Sequence, residues 1–272
     1  MSSRSRPVLT AATADRRRLY EEAVQCPEAE LDFVARWFRR LRGRPCRHIR
    51  EDFCGAGLTA SEWVKRHPDN TSLGLDIDAA ALAWGTRTHL APLPPDQRRR
   101  VKLLNRNVLR PPAGSAPPDA VLAMNFSWSV FKTRDLLKAY FAAAHRTLAK
   151  DGILFMDIHG GYESMKELTE RRRCKGFTYV WEQAHYDPIS SDMRCYIHFD
   201  FKKGPMMKRA FTYRWRLWSI PEVRELLHEA GFKSTTVYWE GENKHGHGTG
   251  EYHPRTKGVA DASFVCMISA HK

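Results

Sequence analysis

Two carboxylates open a glycine-rich stretch, Glu51-Asp52-Phe53-Cys54-Gly55-Ala56-Gly57-Leu58-Thr59-Ala60, and more acids follow in Gly74-Leu75-Asp76-Ile77-Asp78. Gly55, Gly57 and Ala60 fit the G-x-G-x-x-G/A spacing of a strand-to-helix turn whose backbone approaches a ligand. Asp76 stands about twenty residues further on, where an acid accepts hydrogen bonds from both ribose hydroxyls. The chemistry these residues suit is nucleoside binding. A pyrophosphate over this helix N-terminus would meet Glu51 and Asp52 and be repelled. A nucleoside bearing an ammonium or a sulfonium would instead be stabilised by Glu51 at the end of the first strand.

S-adenosylmethionine is such a nucleoside, and these residues resemble those of the class I S-adenosylmethionine-dependent methyltransferases. In that family an acid stands two residues before a G-x-G-x-G turn. Glu51 takes that position, and Phe53 occupies the place of the first glycine. A Phe-Cys-Gly-x-Gly version is similar to the turn of some DNA amino-methyltransferases. The resemblance extends from about Leu31 to the C-terminus in element order. It implies cofactor contacts from Glu51, Phe53, Gly55, Gly57, Asp76 and Ile77. Asn107 with Val108 stands where the family has an acid and an apolar residue holding the adenine; the amide oxygen can accept from the exocyclic amine. A turn-forming Asn is the competing reading.

Asn125-Phe126-Ser127-Trp128 corresponds to the place where amino-methyltransferases carry a polar residue, two prolines and an aromatic. Asn and the aromatic are kept and both prolines are lacking. The resemblance makes Asn125 a contact to cofactor or nucleophile and Trp128 a wall of the substrate site, against ordinary core packing for Trp128. His159, read as directly following the fifth strand, has a side chain able to take a proton near neutral pH; a hydrogen-bonded loop histidine is the plainer alternative. Glu182 is a candidate to orient an amine, and Glu240 to close over substrate together with the glycine and histidine run from Asn243 to Gly250. H-x-H without further ligands at defined spacing is a weak metal signal, and no metal is expected.

These residues need a frame. Apolar runs at His48 to Phe53, Ser72 to Asp76, Val101 to Leu104, Ala120 to Met124 and Gly152 to Asp157 alternate with helical patterns, which implies an α/β fold with a parallel, doubly wound sheet. Asp78 is placed to cap the helix that follows it. Residues 1 to about 14 are small and polar, and helices with a break at Pro27-Glu28 precede the first strand, so 1–45 reads as an arm with helices and 46–272 as the main domain. Within it, 160–218 reads as an inserted three-stranded antiparallel lid, from alternation over Phe177 to His185, Met193 to Phe201 and Lys208 to Trp218. The family resemblance completes the sheet to seven strands, ending in an antiparallel hairpin.

A chain of 272 residues with 42% hydrophobic content can bury one substantial core. It carries no apolar run suited to a membrane span and no signal-peptide core, so a soluble, cytoplasmic protein is expected, and its scattered cysteines fit reduced thiols. The formal charge is +13. Its arginine runs (Arg16 to Arg18, Arg39 to Arg44, Arg98 to Arg100, Arg171 to Arg173) are dispersed, which favours a solvated surface over a nucleic-acid track. The leading expectation is methyl transfer from S-adenosylmethionine to an N or O nucleophile of a small molecule. An RNA, DNA or protein methyltransferase is the second reading, and a non-catalytic nucleoside-binding protein the third. The oligomeric state is left open.

Overall fold

The structure is a computed structural model that describes residues 9–112, 116–244 and 248–272. Along the chain run α1 (Arg16–Val24), α2 (Pro27–Arg42), β1 (His48–Asp52), α3 (Leu58–Lys65), β2 (Thr71–Asp76), α4 (Ala79–Gly85), α5 (Pro95–Arg98), β3 (Val101–Asn105), β4 (Ala120–Ala123), α6 (Arg134–Thr147) and β5 (Ile153–Gly160). The second half holds β6 (Leu168–Arg173), β7 (Phe177–Asp187), β8 (Asp192–Phe201), β9 (Met207–Arg216), α7 (Ile220–Glu229), β10 (Ser234–Glu242), β11 (Gly248–Arg255) and β12 (Phe264–His271). The chain divides into two compact units, one made of the residues through Cys26 with Tyr162–Leu217, the other of Pro27–Gly161 with Trp218–Lys272. The segment 1–45 expected as one piece is therefore split at Pro27, with α1 in the first unit and α2 in the second.

The larger unit is an eight-stranded sheet ordered β11-β10-β12-β5-β4-β1-β2-β3. The run from β5 to β3 is parallel, and β12, β10 and β11 continue antiparallel to their neighbours. Successive residues of β4 alternate between two cores. Val121 and Ala123 face the cluster of Leu137, Tyr140, Phe141, Val223 and Leu226 from α6 and α7. Ala120 and Leu122 face Phe33, Val34, Trp37 and Phe38 of α2. A strand covered on both faces has no polar side to show, which is why β4 and β5 read as unbroken apolar runs.

Seven strands were expected and eight are present among the described residues. The extra one is β11, whose Tyr252 and His253 pair with Glu240 and Trp239 of β10. Its glycine-rich composition is poor strand material, and pairing with the open edge of β10 supplies its order. Among the described residues no helix is long and apolar enough to cross a membrane.

The smaller unit is an antiparallel sheet of four strands, β6-β7-β8-β9, where three were expected. The missed strand is β6, Leu-Thr-Glu-Arg-Arg-Arg, which is almost wholly exposed along its length. A polar edge strand has no apolar face and shows no alternation. On this sheet α1 packs through Leu19 and Ala23 against Phe177, Ile197, Phe199 and Phe201.

Candidate functional site

The turn after β1 is built from positive dihedrals, with φ of 60° at Phe53, 52° at Gly55 and 70° at Gly57. Cys54 N–H donates to Leu75 O at 3.0 Å, tying the turn to the end of β2. A Cβ added at Gly55 would meet nothing within 4 Å, so space lies open above the backbone there. Phe53 tolerates its left-handed backbone because its ring turns inward, 5.9 Å from Phe131 and 5.5 Å from Tyr140 between centroids. The departure from glycine at this position thus packs a partly buried aromatic against the core.

Asp76, at the end of β2, accepts from Gly55 N–H at 2.7 Å through Oδ2 and from Asp78 N–H at 2.8 Å through Oδ1. It shapes the turn while retaining lone pairs for a ligand. Asp78 caps α4 by accepting from Ala80 and Ala81 N–H, and Ile77 beside it is 75% exposed, an apolar side chain with nothing over it.

Glu51 reaches the N-terminus of α3 and accepts Ala60 N–H at 2.9 Å, a favourable place for an anion. Its carboxyl is nevertheless pushed up to about 8, first by burial and then by the charge of Glu30, against the lowering hydrogen bonds from Ala60 and Thr59. Asp157, on β5, is pushed up to about 7, mainly by burial, with Glu30 again adding to the rise. Glu30 on α2 therefore faces both, and Asp76 adds its charge to Glu51. No cation is among the leading influences on either buried acid. Asp52 does not join them. It is buried in a two-pronged pair with Arg50 at 2.7 and 3.0 Å and accepts from Tyr140 Oη at 3.1 Å, so only one of the two carboxylates before the turn faces the helix.

Asp157 also holds the loop after β4. Its two oxygens accept from Asn125 N–H at 2.7 Å and Phe126 N–H at 2.9 Å, and those residues sit at φ of 59° and 54°. Two successive non-glycine residues in the left-handed region are strained by about 1–3 kcal/mol each and persist only where the surroundings hold them. Asp157→Ala should therefore speed hydrogen exchange at the Asn125 and Phe126 amides several-fold, the effect of losing about 1 kcal/mol per bond. Unchanged exchange by mass spectrometry would show that the loop holds itself.

His159 lies within β5, paired with Val265, rather than after the strand. Its ring meets Phe126 edge-on at 4.8 Å, and burial lowers it to about 4. Trp128 is 1% exposed and donates to Asp157 O at 2.9 Å. It is a core residue and not a substrate wall. Val108 is 4% exposed in the same core, so its side chain does not border an adenine. Asn107 accepts Leu109 N–H at 2.9 Å, closing a turn with its amide oxygen. Glu240 is inside β10, and its carboxylate accepts Gly250 N–H at 2.8 Å, bracing the β10–β11 hairpin.

Glu182 belongs to the smaller unit, where it accepts from His198 Nε2 at 2.7 Å. His198 Nδ1 in turn accepts Arg209 N–H at 3.2 Å, which fixes the tautomer with the proton on Nε2. His245, Gly246 and His247 lie outside the described residues; among those described, no group of three potential metal ligands occurs.

The larger unit thus gathers Glu51, Phe53, Gly55, Gly57, Asp76, Ile77, Asn125 and His159 at the carboxyl ends of β1, β2, β4 and β5. This is the edge where open parallel sheets bind ligands, at the point where strand order reverses between β1 and β4. Glu30 and Asp157 were missed from sequence. Asp157 had one available signal, a lone acid closing the apolar run Ile153-Leu154-Phe155-Met156; Glu30 reads as an ordinary first-turn helix acid.

A methyltransferase from Clostridium acetobutylicum, described as S-adenosylmethionine-dependent, superposes with a TM-score of 0.67 at 15% identity, covering 94% of this chain and 96% of that one. The chain has the S-adenosylmethionine-dependent methyltransferase fold. An amino pentose methyltransferase of calicheamicin biosynthesis from Micromonospora echinaspora, solved with S-adenosylmethionine bound, shares that fold with a TM-score of 0.66, 17% identity and the same coverages of 94% and 96%. A sugar N-methyltransferase from a Streptoalloteichus species matches over 98% of both chains, with a TM-score of 0.60 and 18% identity. No protein-family model matches this chain, and no curated protein matches it in sequence.

Proposed function

We propose that the protein transfers a methyl group from S-adenosylmethionine to the amine or hydroxyl of a small molecule. The observation that carries this reading is the set of acids at the glycine turn: Glu51 on the N-terminus of α3, Asp76 on the Gly55 N–H and Asp157 on the loop after β4, with Glu30 adding its charge to Glu51 and Asp157. Such a cluster calls for a cation. S-adenosylmethionine supplies an ammonium and an electrophilic methyl on a sulfonium, and its lack of phosphate suits a turn faced by carboxylates.

Asp76 takes the ribose hydroxyls with the lone pairs left by Gly55 and Asp78. Ile77 lies against the adenine, the open backbone at Gly55 lets the ligand approach, and Glu51 faces the ammonium. Asn125 and Phe126, held in one strained geometry by Asp157, border the space where the acceptor arrives. A histidine held near 4, as His159 is, is a weak base at neutral pH. Catalysis then rests on positioning and exclusion of water, with an amine acceptor arriving unprotonated. The amino pentose methyltransferase and the sugar and glycopeptide N-methyltransferases that share the fold favour a nitrogen acceptor on a sugar-like molecule.

Incubation with labelled S-adenosylmethionine and a panel of amino sugars should yield products heavier by one methyl. Cofactor binding without transfer to any acceptor in the panel or in metabolite extracts would count against the reading. Asp76→Ala should weaken cofactor binding by about 1–3 kcal/mol through lost charged hydrogen bonds, and unchanged affinity by calorimetry would remove the ribose assignment.

A further inference from the structure

At the opposite end of the parallel strands the larger unit has a cavity of about 790 Å³. Its origin is the connection from β3 to β4. A parallel crossover usually carries a helix that covers the sheet face, but the described residues between Asn105 and Ala120 form none. Pro111, Pro112, Pro117 and Pro118 oppose one, since each lacks an N–H and disfavours helical backbone in the residue before it. The face over β2 and β3 is left as a recess with Leu73 and Leu104 among its lining residues.

The charge of this recess is one-sided. Arg50, Arg99, Arg100, Lys102 and Arg146 all border it, and among the described residues no Asp or Glu does. Two of the arginines are committed elsewhere. Arg50 is paired with Asp52, and Arg100 donates to the carbonyls of Val64, His67 and Asn70 at the end of α3. Arg99, Lys102 and Arg146 are exposed and make no ion pair among the described residues.

We propose that this recess binds a small phosphorylated molecule, a ligand separate from the cofactor and acceptor of the reading above. Three uncommitted cations around a partly apolar cavity suit a phosphate or diphosphate joined to a compact organic group. The volume lies within the roughly 300–1,000 Å³ of small-molecule sites. A single-stranded nucleic acid fits less well, because such strands are held largely by stacking on aromatic side chains and among the described residues no Phe, Tyr or Trp borders the recess.

The test is calorimetric titration of the full chain with inorganic pyrophosphate and with glucose 1-phosphate, in wild type and in Lys102→Ala/Arg146→Ala. Both probes should bind wild type, and the double variant should bind each at least tenfold more weakly with unchanged melting and unchanged affinity for S-adenosylmethionine. Preference for the sugar phosphate would support an ester that uses the leucines; equal affinity would support a site filled by phosphate groups alone. Lys202→Ala/Lys203→Ala, which removes the same charge from the turn between β8 and β9, should leave both affinities as they are, and Arg99→Ala alone should weaken them by a smaller factor. The proposal is overturned if wild type binds neither probe, or if the two double variants weaken binding alike. It is equally overturned if a 20-nucleotide single strand binds through Lys102 and Arg146 and pyrophosphate does not displace it.

Discussion

Gly85→Ala should destabilise the protein by about 1–3 kcal/mol or more, the cost of forcing atoms into a filled space, and should weaken cofactor binding with it. By backbone preference alone the change ought to help. Gly85 has φ of −61° and ψ of −40° at the end of α4, ordinary helical values at which Ala is better than Gly by about 1 kcal/mol. Contact decides the other way. A Cβ at this position would overlap the Ala56 carbonyl oxygen and lie 2.6 Å from its carbon, and these are backbone atoms of the glycine turn that cannot swing aside as a side chain would. Either α4 moves out or the turn moves away from Asp76, and the second breaks the Gly55 to Asp76 hydrogen bond. A melting temperature equal to or above that of wild type, with unchanged cofactor affinity, would show that the two elements are not in the contact described.

The glycine turn and Asp76 were legible in the sequence because their relation is local: a fixed spacing across one strand, one turn and one helix. The parallel strands were legible because burial on both faces leaves a continuous apolar run. What failed depended on which way a side chain points. Trp128 and Val108 were correctly located at the carboxyl ends of their strands, yet both turn into the core of α6 and α7, and spacing along the chain does not carry that choice. His159 and Glu240 were read as lying just beyond their strands, and pairing with Val265 and Tyr252 extends those strands through them instead.

Glu30 and Asp157 escaped for a different reason. Their significance lies in the proximity of α2 to the ends of β1 and β5, which only the packing of Phe33 and Phe38 against the sheet creates. Sequence offers each as one acid among many. Assembled, they produce the feature that most constrains the ligand's charge.

That charge leads to a pH dependence of cofactor affinity. In the ligand-free protein the Glu51 carboxyl is pushed up to about 8 and that of Asp157 to about 7. These folded values exceed the unfolded ones, so the folded state holds protons the unfolded state has released. Stability is therefore present at low pH and is lost as pH rises from about 4 toward 8. A cation at the cluster favours the carboxylates and draws both groups down, so binding below pH 8 releases protons. Affinity should then rise by about tenfold per pH unit below 7 through Glu51 alone, one unit being 1.36 kcal/mol, and flatten near 8. Above that, loss of the ligand's own α-ammonium proton, at about 7.7–8.0 for such groups, should turn the curve down. Calorimetry in two buffers of different ionisation enthalpy at pH 7 should register the proton release. Glu51→Gln should flatten the rising limb while weakening binding at pH 8, because the amide keeps the hydrogen bond to Ala60 and loses the charge. A rising limb unchanged in Glu51→Gln would assign the titration to another group and detach Glu51 from the ligand's cation.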